Sequence, residues 1–182
     1  METLYNVDGS YYGAKIRSYL QYKSIPFTEV LGDRSVFSSK ILPKVGWPVI
    51  PVILTELGET LQDTSDMIDH YELVYAGKSV LPQTASGRAL SYWLELIGDE
   101  WLKLPALHYR WRYNYDFAVR EMGRNNDPSA SADEQLRVGK KIAKTFQGWC
   151  PIHGITEHTG ASIEAESVSY THLRAHETKA NL

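Results

Sequence analysis

The stretch GWPVIPVILTELGETLQDTSDMIDHY, residues 46–71, has the branched, apolar composition of a buried strand from Ile50 to Leu54, interrupted by Pro51. Proline brings no N–H and is normally confined to strand edges, first residues or bulges. A strand is therefore predicted over residues 51–55, opening on the proline. Leu57-Gly58 makes a tight turn, and residues 59–62 form a second strand antiparallel to it. Asp63 or Thr64 then caps a helix over about 65–74, which places Met67, Ile68 and Tyr71 on one face.

Upstream, residues 4–7 read as a strand, DGSYYG (8–13) as a turn-rich segment, and 14–22 as a helix with Ile16, Tyr19 and Leu20 at helical spacing. Pro26 precedes another strand over 27–31, so strand, helix, strand favours a right-handed crossover with parallel pairing. Residues 32–44 are polar and less regular, with one short helix near 36–41. The first 75 residues thus give β-α-β, a connection, then β-β-α.

Downstream, AGKSVLP (76–82) has no periodicity and reads as a linker. Leu90, Trp93, Leu94, Ile97, Trp101 and Leu104 then follow a 3.6-residue period, and Pro105 ends or kinks that helix. A shorter helix is predicted over 116–122. NNDPSAS (125–131) is a loop, and Ser131 with Glu134 forms a capping box opening a helix to about 146. A last helix starts near Thr156.

The chain has 182 residues, 43% apolar and 23% charged, with a net charge of −3. These are values of a soluble globular protein, and nothing supplies the broad basic face of a general nucleic-acid binder. No apolar run approaches the ~20 residues of a membrane span, and METLYNVDGS lacks the regions of a signal peptide. Cys150 is the only cysteine, which excludes an internal disulfide and a multi-cysteine metal site and fits a reducing, cytoplasmic setting.

VSYTHLRAHET, residues 168–178, resembles one reading frame of a transposase adapter used in sequencing libraries: TCT TAT ACA CAT CTC CGA GCC CAC GAG AC spells Ser169 to Thr178. The resemblance implies a non-native tail over 168–182, native sequence ending near Ser167 inside an unfinished helix, and a truncated gene product. The other reading of the segment is a basic tail in which His172 and His176, at i,i+4, touch a metal.

LYNVDGSYYGAKIRSYLQYKSIPF and IPVILTELGETLQDTSDMIDHYE both resemble the glutathione S-transferase superfamily, and LIGDEWLKLPALHYRW looks like an uncharacterised bacterial branch of it. The resemblance covers about 4–167. It implies an α/β thioredoxin-like domain over 1–76 and an all-α domain, incomplete, over 83–167. It further implies that the Ile50-Pro51 bond is cis, turning the main chain of the preceding loop residue toward an extended tripeptide. In DTSDMI, Thr64 falls on the family's hydroxyl position and Asp63 on the residue before it. The helix start would receive the carboxylate of glutathione's γ-glutamyl end, and Asp63 or Asp66 would meet its ammonium. The other reading of these residues is plain capping.

The same alignment, anchored on Arg17, puts Ser10 in the slot of the thiol-activating serine and Asn6 in that of the tyrosine-type members. Tyr5 is one residue off that slot and faces the other side of the strand. Tyr11 and Tyr12 are alternatives if the loop is shifted, and Ser10 is also open to a plain turn reading. The implied function is a transferase in which glutathione's thiol, activated by Ser10, attacks a hydrophobic electrophile. The implied cofactor is glutathione as co-substrate, without metal, and the implied assembly is a homodimer. A non-catalytic binding or scaffold protein of the same fold is the alternative; an isomerase or peroxidase-like enzyme would share the site.

Glu95, Asp99, Glu100, His108 and Arg110 could form a carboxylate–histidine metal set, but charges opposite a Leu/Trp stripe read better as a solvated face. His108, Arg110 and Trp111 also suit the cleft between domains. Trp93, Trp101 and Trp111 read as core, Lys15 and Arg17 as surface charges. Cys150 and His153 are two ligands, too few for zinc.

Overall fold

A computed structural model describes residues 1–180, of which Leu173 and residues 176–180 are described by backbone alone. The reading of His172 with His176 as a metal pair therefore lies outside the described residues. Four strands, β1 (Glu2–Asn6), β2 (Phe27–Leu31), β3 (Val52–Leu54) and β4 (Thr60–Gln62), form one sheet in the order β2-β1-β3-β4. β1 and β2 pair parallel, as a crossover through α1 (Tyr11–Tyr22) requires, whereas β3 runs antiparallel to both β1 and β4.

Strand alternation divides the core. Leu4 points to one face, where Ile16, Tyr19 and Leu20 of α1 pack with Met67 and Tyr71 of α4 (Thr64–Val74). Tyr5 points to the other, against Ile41 and Val52. That second face is covered by residues 34–45, which are more helical than their polarity predicts: α2 (Arg34–Val36), a π-helical turn (Phe37–Ile41) and α3 (Leu42–Val45) run on from an Asp33 cap.

The segment after α4 has no regular structure, but it is anchored. Glu72 pairs with Lys23 at 2.9 Å, accepts from the Tyr19 hydroxyl at 2.7 Å and also holds Ser79 and the Val80 N–H. Helices follow: α5 (Ala85–Leu96), a π-helical turn (Ile97–Trp101), α6 (Lys103–Arg112), α7 (Tyr115–Asn126), α8 (Ala132–Trp149) and α9 (Gly160–Ala180). Pro105 falls in the first turn of α6, where its missing N–H costs nothing. Ser131 caps α8 by accepting from the Glu134 N–H. Gly123 and Gly139 let α7 and α8 touch backbone to backbone, since a Cβ at either would lie about 2 Å from a carbonyl oxygen of the other helix.

The structure corrects several sequence expectations. β3 begins at Val52, after the proline, and β4 at Thr60. α1 begins at Tyr11 because Ser10 caps it, and α7 and α8 are longer than predicted. α9 starts at Gly160 and runs through the adapter-like segment without a break at residue 168. Trp111 is core, but Trp93 and Trp101 are not: they are 61% and 58% exposed, with Leu90 and Leu94 beside them. α5 is turned so that its Glu95, together with Asp99 of the π-helical turn that follows, faces the sheet domain while Leu90, Trp93 and Leu94 face outward.

Candidate active site

Ser10 ends the turn after β1 and caps α1: its Oγ accepts the Gly13 N–H at 3.0 Å, and its own N–H donates to the Val7 carbonyl at 3.1 Å. The cap uses an oxygen lone pair only, and among the described residues no acceptor takes the Ser10 hydroxyl hydrogen. The Ile50-Pro51 peptide is cis, immediately before β3. Ile50 packs over Gly32 at the end of β2, so the proline loop is seated on the strand that pairs with β1.

Asp63 caps α4 from a left-handed conformation (φ 77°), and its Oδ1 accepts the Ser65 N–H at 2.9 Å. Thr64 is buried as the first helical residue, whereas Asp63 and Asp66 are exposed at the helix start. The two helix starts are tied together: Lys15 of α1 reaches Ser65 Oγ at 3.4 Å and is clamped by Glu95 and Asp99 at 2.6 Å each. Lys15 is therefore an interdomain cation rather than a surface charge. Of the carboxylates that suggested a metal set, Glu95 and Asp99 hold it and Glu100 pairs with Lys103, while His108 pairs with Glu164 on α9 at 2.8 Å. Among the described residues no group of three or more His, Cys, Asp or Glu could hold a metal ion. Arg17 forks onto Glu29 of β2 and keeps that carboxyl below its ordinary range.

The alternatives to Ser10 are occupied. The Tyr11 hydroxyl donates to the Gly98 carbonyl at 2.7 Å and the Tyr12 hydroxyl to the Asp99 carbonyl at 2.8 Å. Burial pushes both phenols up, Tyr12 to about 12, with Glu100 and Asp99 adding to the effect. Asn6 is 1% exposed, donates to Glu29 at 2.9 Å and lies under Gly13. Tyr5 is buried on the opposite face, as alternation predicts.

A cleft of about 420 Å³ lies where the two halves of the chain meet, walled by Tyr11, by Leu102, Pro105, Ala106 and Tyr109 at α6, and by Ser167 and Tyr170 of α9. It opens beside the residue that follows Ser10, but Ser10, Ile50, Pro51, Asp63 and Thr64 do not line it. One residue at this junction carries more than its sequence suggested. Arg110 reaches across and donates to the Gly9 carbonyl at 2.7 Å. In the sequence it read only as one member of a candidate metal set and as one of three residues for a cleft.

A four-stranded sheet with this mixed topology, a proline-opened third strand and two capped helix starts on one sheet face define a thioredoxin-like domain, here continued by a helical domain. Residues 4–79 match the sequence profile described as "Glutathione S-transferase, N-terminal domain". Residues 4–79 thus form a domain of the glutathione S-transferase N-terminal type.

Solved structures with the same fold include a glutathione transferase family member from Pseudomonas fluorescens Pf-5 with bound glutathione, 13% identical with a TM-score of 0.51 over 82% of this chain and 70% of that one. A glutathione S-transferase from Methylobacterium radiotolerans JCM 2831 in complex with glutathione sulfonate is 19% identical, with a TM-score of 0.50 over 80% of this chain and 63% of that one. Ure2p in complex with S-hexylglutathione is 11% identical, with a TM-score of 0.53 over 79% and 66% of the two chains. At such identities the likeness is one of fold. This chain spans between 63% and 70% of the length of those three. No curated protein matches it in sequence. Among the described residues no helix is long and apolar enough to cross a membrane.

Proposed function

We propose that the chain is a glutathione transferase of the serine type. Its sheet domain, residues 1–76, holds glutathione through the Ile50 main chain and Pro51, with Asp63 and Thr64 at the γ-glutamyl end. Its helical domain, residues 83–167, supplies the wall against which a hydrophobic electrophile lies. The Ser10 hydroxyl donates to the glutathione sulfur, the thiol proton leaves to solvent, and the thiolate forms a bond to an electrophilic carbon or sulfur, whose leaving group departs with the bonding electrons. Glutathione acts as co-substrate and no metal is required. The setting is cytoplasmic, and the outward apolar stripe of α5 is the contact surface of a homodimer.

The observation that carries this reading is the state of the hydroxyls around the start of α1. Ser10 spends only a lone pair on its cap, whereas Tyr11 and Tyr12 have both given their hydrogens to carbonyls. A thiol with an ordinary pKa of ~8.5 needs such a donor to ionise at neutral pH. The family profile over 4–79 and the glutathione ligands of two fold relatives support the choice of tripeptide.

The test is calorimetric titration of the protein with glutathione, followed by turnover of an aryl-halide electrophile by wild type and Ser10→Ala. The expected result is saturable heat in both proteins and about a 100-fold loss of turnover in the variant, the scale of losing one preorganised donor. Absence of binding heat in the wild type ends the proposal. The cleft's walls exclude Ser10 and the four glutathione-site residues, which favours one rival: a non-catalytic binding or scaffold protein on the same fold. That rival predicts no turnover in either protein.

A further inference from the structure

We infer that Arg110 is a positioning residue for thiol ionisation, reaching from the helical domain to set the Ser10 turn and to place an unneutralised cation beside it. The inference rests on the serine-type reading above. The first observation is the contact: the guanidinium sits 2.7 Å from the oxygen of the peptide group that joins Gly9 to Ser10. The second is the charge. Among the described residues no carboxylate pairs with Arg110, and burial alone shifts its titration, downward. A half-buried arginine with only a carbonyl to hold leaves its charge to act on whatever anion forms nearby.

The third observation is rigidity. α6 is fixed on either side of Arg110 by His108, held by Glu164, and by Trp111 in the helical core. The turn is fixed from the same side: Asn125 donates to the Asp8 carbonyl at 3.3 Å, and the Tyr11 and Tyr12 hydroxyls anchor its far end. Segment 8–12 is therefore gripped at four points by helices of the second domain. A donor held this way needs no reorganisation when the thiolate forms.

Other charged or titratable groups around the turn do not cancel the effect. Asp8, on the turn itself, acts on Arg17. Asp99, after α5, is matched by Lys15 of α1. Tyr11 and Tyr12 of α1 are held in the neutral form by burial, and Tyr109 of α6 lines the adjoining cleft. A cation within about 4–6 Å lowers the pKa of an acid by roughly 1–3, and partial exposure places the effect here near the lower bound.

The experiment reads the thiol of bound glutathione directly, by its ultraviolet thiolate absorbance against pH, in wild type, Arg110→Met and Arg110→Lys. Glutathione affinity is measured in parallel by calorimetry. Arg110→Met is expected to bind glutathione within about threefold of wild type and to raise the pKa of the bound thiol by about one unit, a tenfold loss of thiolate below that pKa. Arg110→Lys is expected to recover most of the shift. A purely structural role would lower affinity and melting temperature together and leave the thiol titration of the bound fraction unchanged; that result overturns the inference. If Arg110→Met does not fold, Arg110→Gln keeps volume and a donor without charge, and a wild-type thiol titration in that variant overturns it equally. No glutathione heat in the wild type removes the serine-type reading, and this inference with it. Heat with an unshifted thiol removes the inference alone.

Discussion

Gly13 shows how one missing side chain shapes the start of α1. A Cβ there would lie 1.9 Å from Asn6 Oδ1, and Asn6 cannot retreat without losing its bond to Glu29. In an open helix, glycine to alanine would stabilise by about 1 kcal/mol. Here overpacking, at about 1–3 kcal/mol, outweighs it. Gly13→Ala is expected to lower urea stability, and pairing it with Asn6→Ala to cost less than the sum of the two single changes, as for residues in contact. A simple sum would show that the contact is not tight. Ser10 was legible in the sequence as a turn residue and through the resemblance, although its cap on α1 was not. Gly13 was not, because its partner lies on a strand seven residues earlier and the reason for glycine appears only when helix and strand are packed.

At the scale of elements, α5 has an amphipathic pattern whose apolar side the sequence predicts as core, whereas the structure turns that side outward. Periodicity reports that a helix has two faces; it does not say which partner each face meets. The polar face meets Lys15 and Ser65 inside the molecule, leaving Leu90, Trp93, Leu94 and Trp101 at more than half exposure. Large exposed apolar patches are what association surfaces bury. Under the homodimer proposal, Trp93→Glu is expected to convert a dimer to a monomer in sedimentation velocity with the far-ultraviolet dichroism unchanged. A dimer that survives the charge would place the interface elsewhere.

For the whole molecule, the junction between the sheet and helical domains is polar and bound by few but specific contacts. Lys15 is its centre, one ammonium shared by Glu95 and Asp99 with Ser65 at hand. Removing it leaves two partly buried carboxylates facing each other, so the loss exceeds that of a surface pair. Lys15→Met is expected to accelerate amide exchange in α5 and at the start of α4 together, and to leave exchange in α8 as in wild type. Uniform acceleration would mean that the two domains open as one unit.

The sequence by itself determined the order of strands and helices, the caps at Asp63 or Thr64 and at Ser131, the proline at the mouth of β3 and the resemblance to the glutathione S-transferase superfamily. Each is a local pattern, set by backbone sterics and hydrogen bonding within a few residues. The tertiary structure decided which face of α5 turns inward, that Lys15 bridges the domains, and that Arg110 lies against the Ser10 turn. Those depend on groups about 80 to 100 residues apart, whose meeting is fixed by packing the helical domain on the sheet domain, and no spacing within the chain records it.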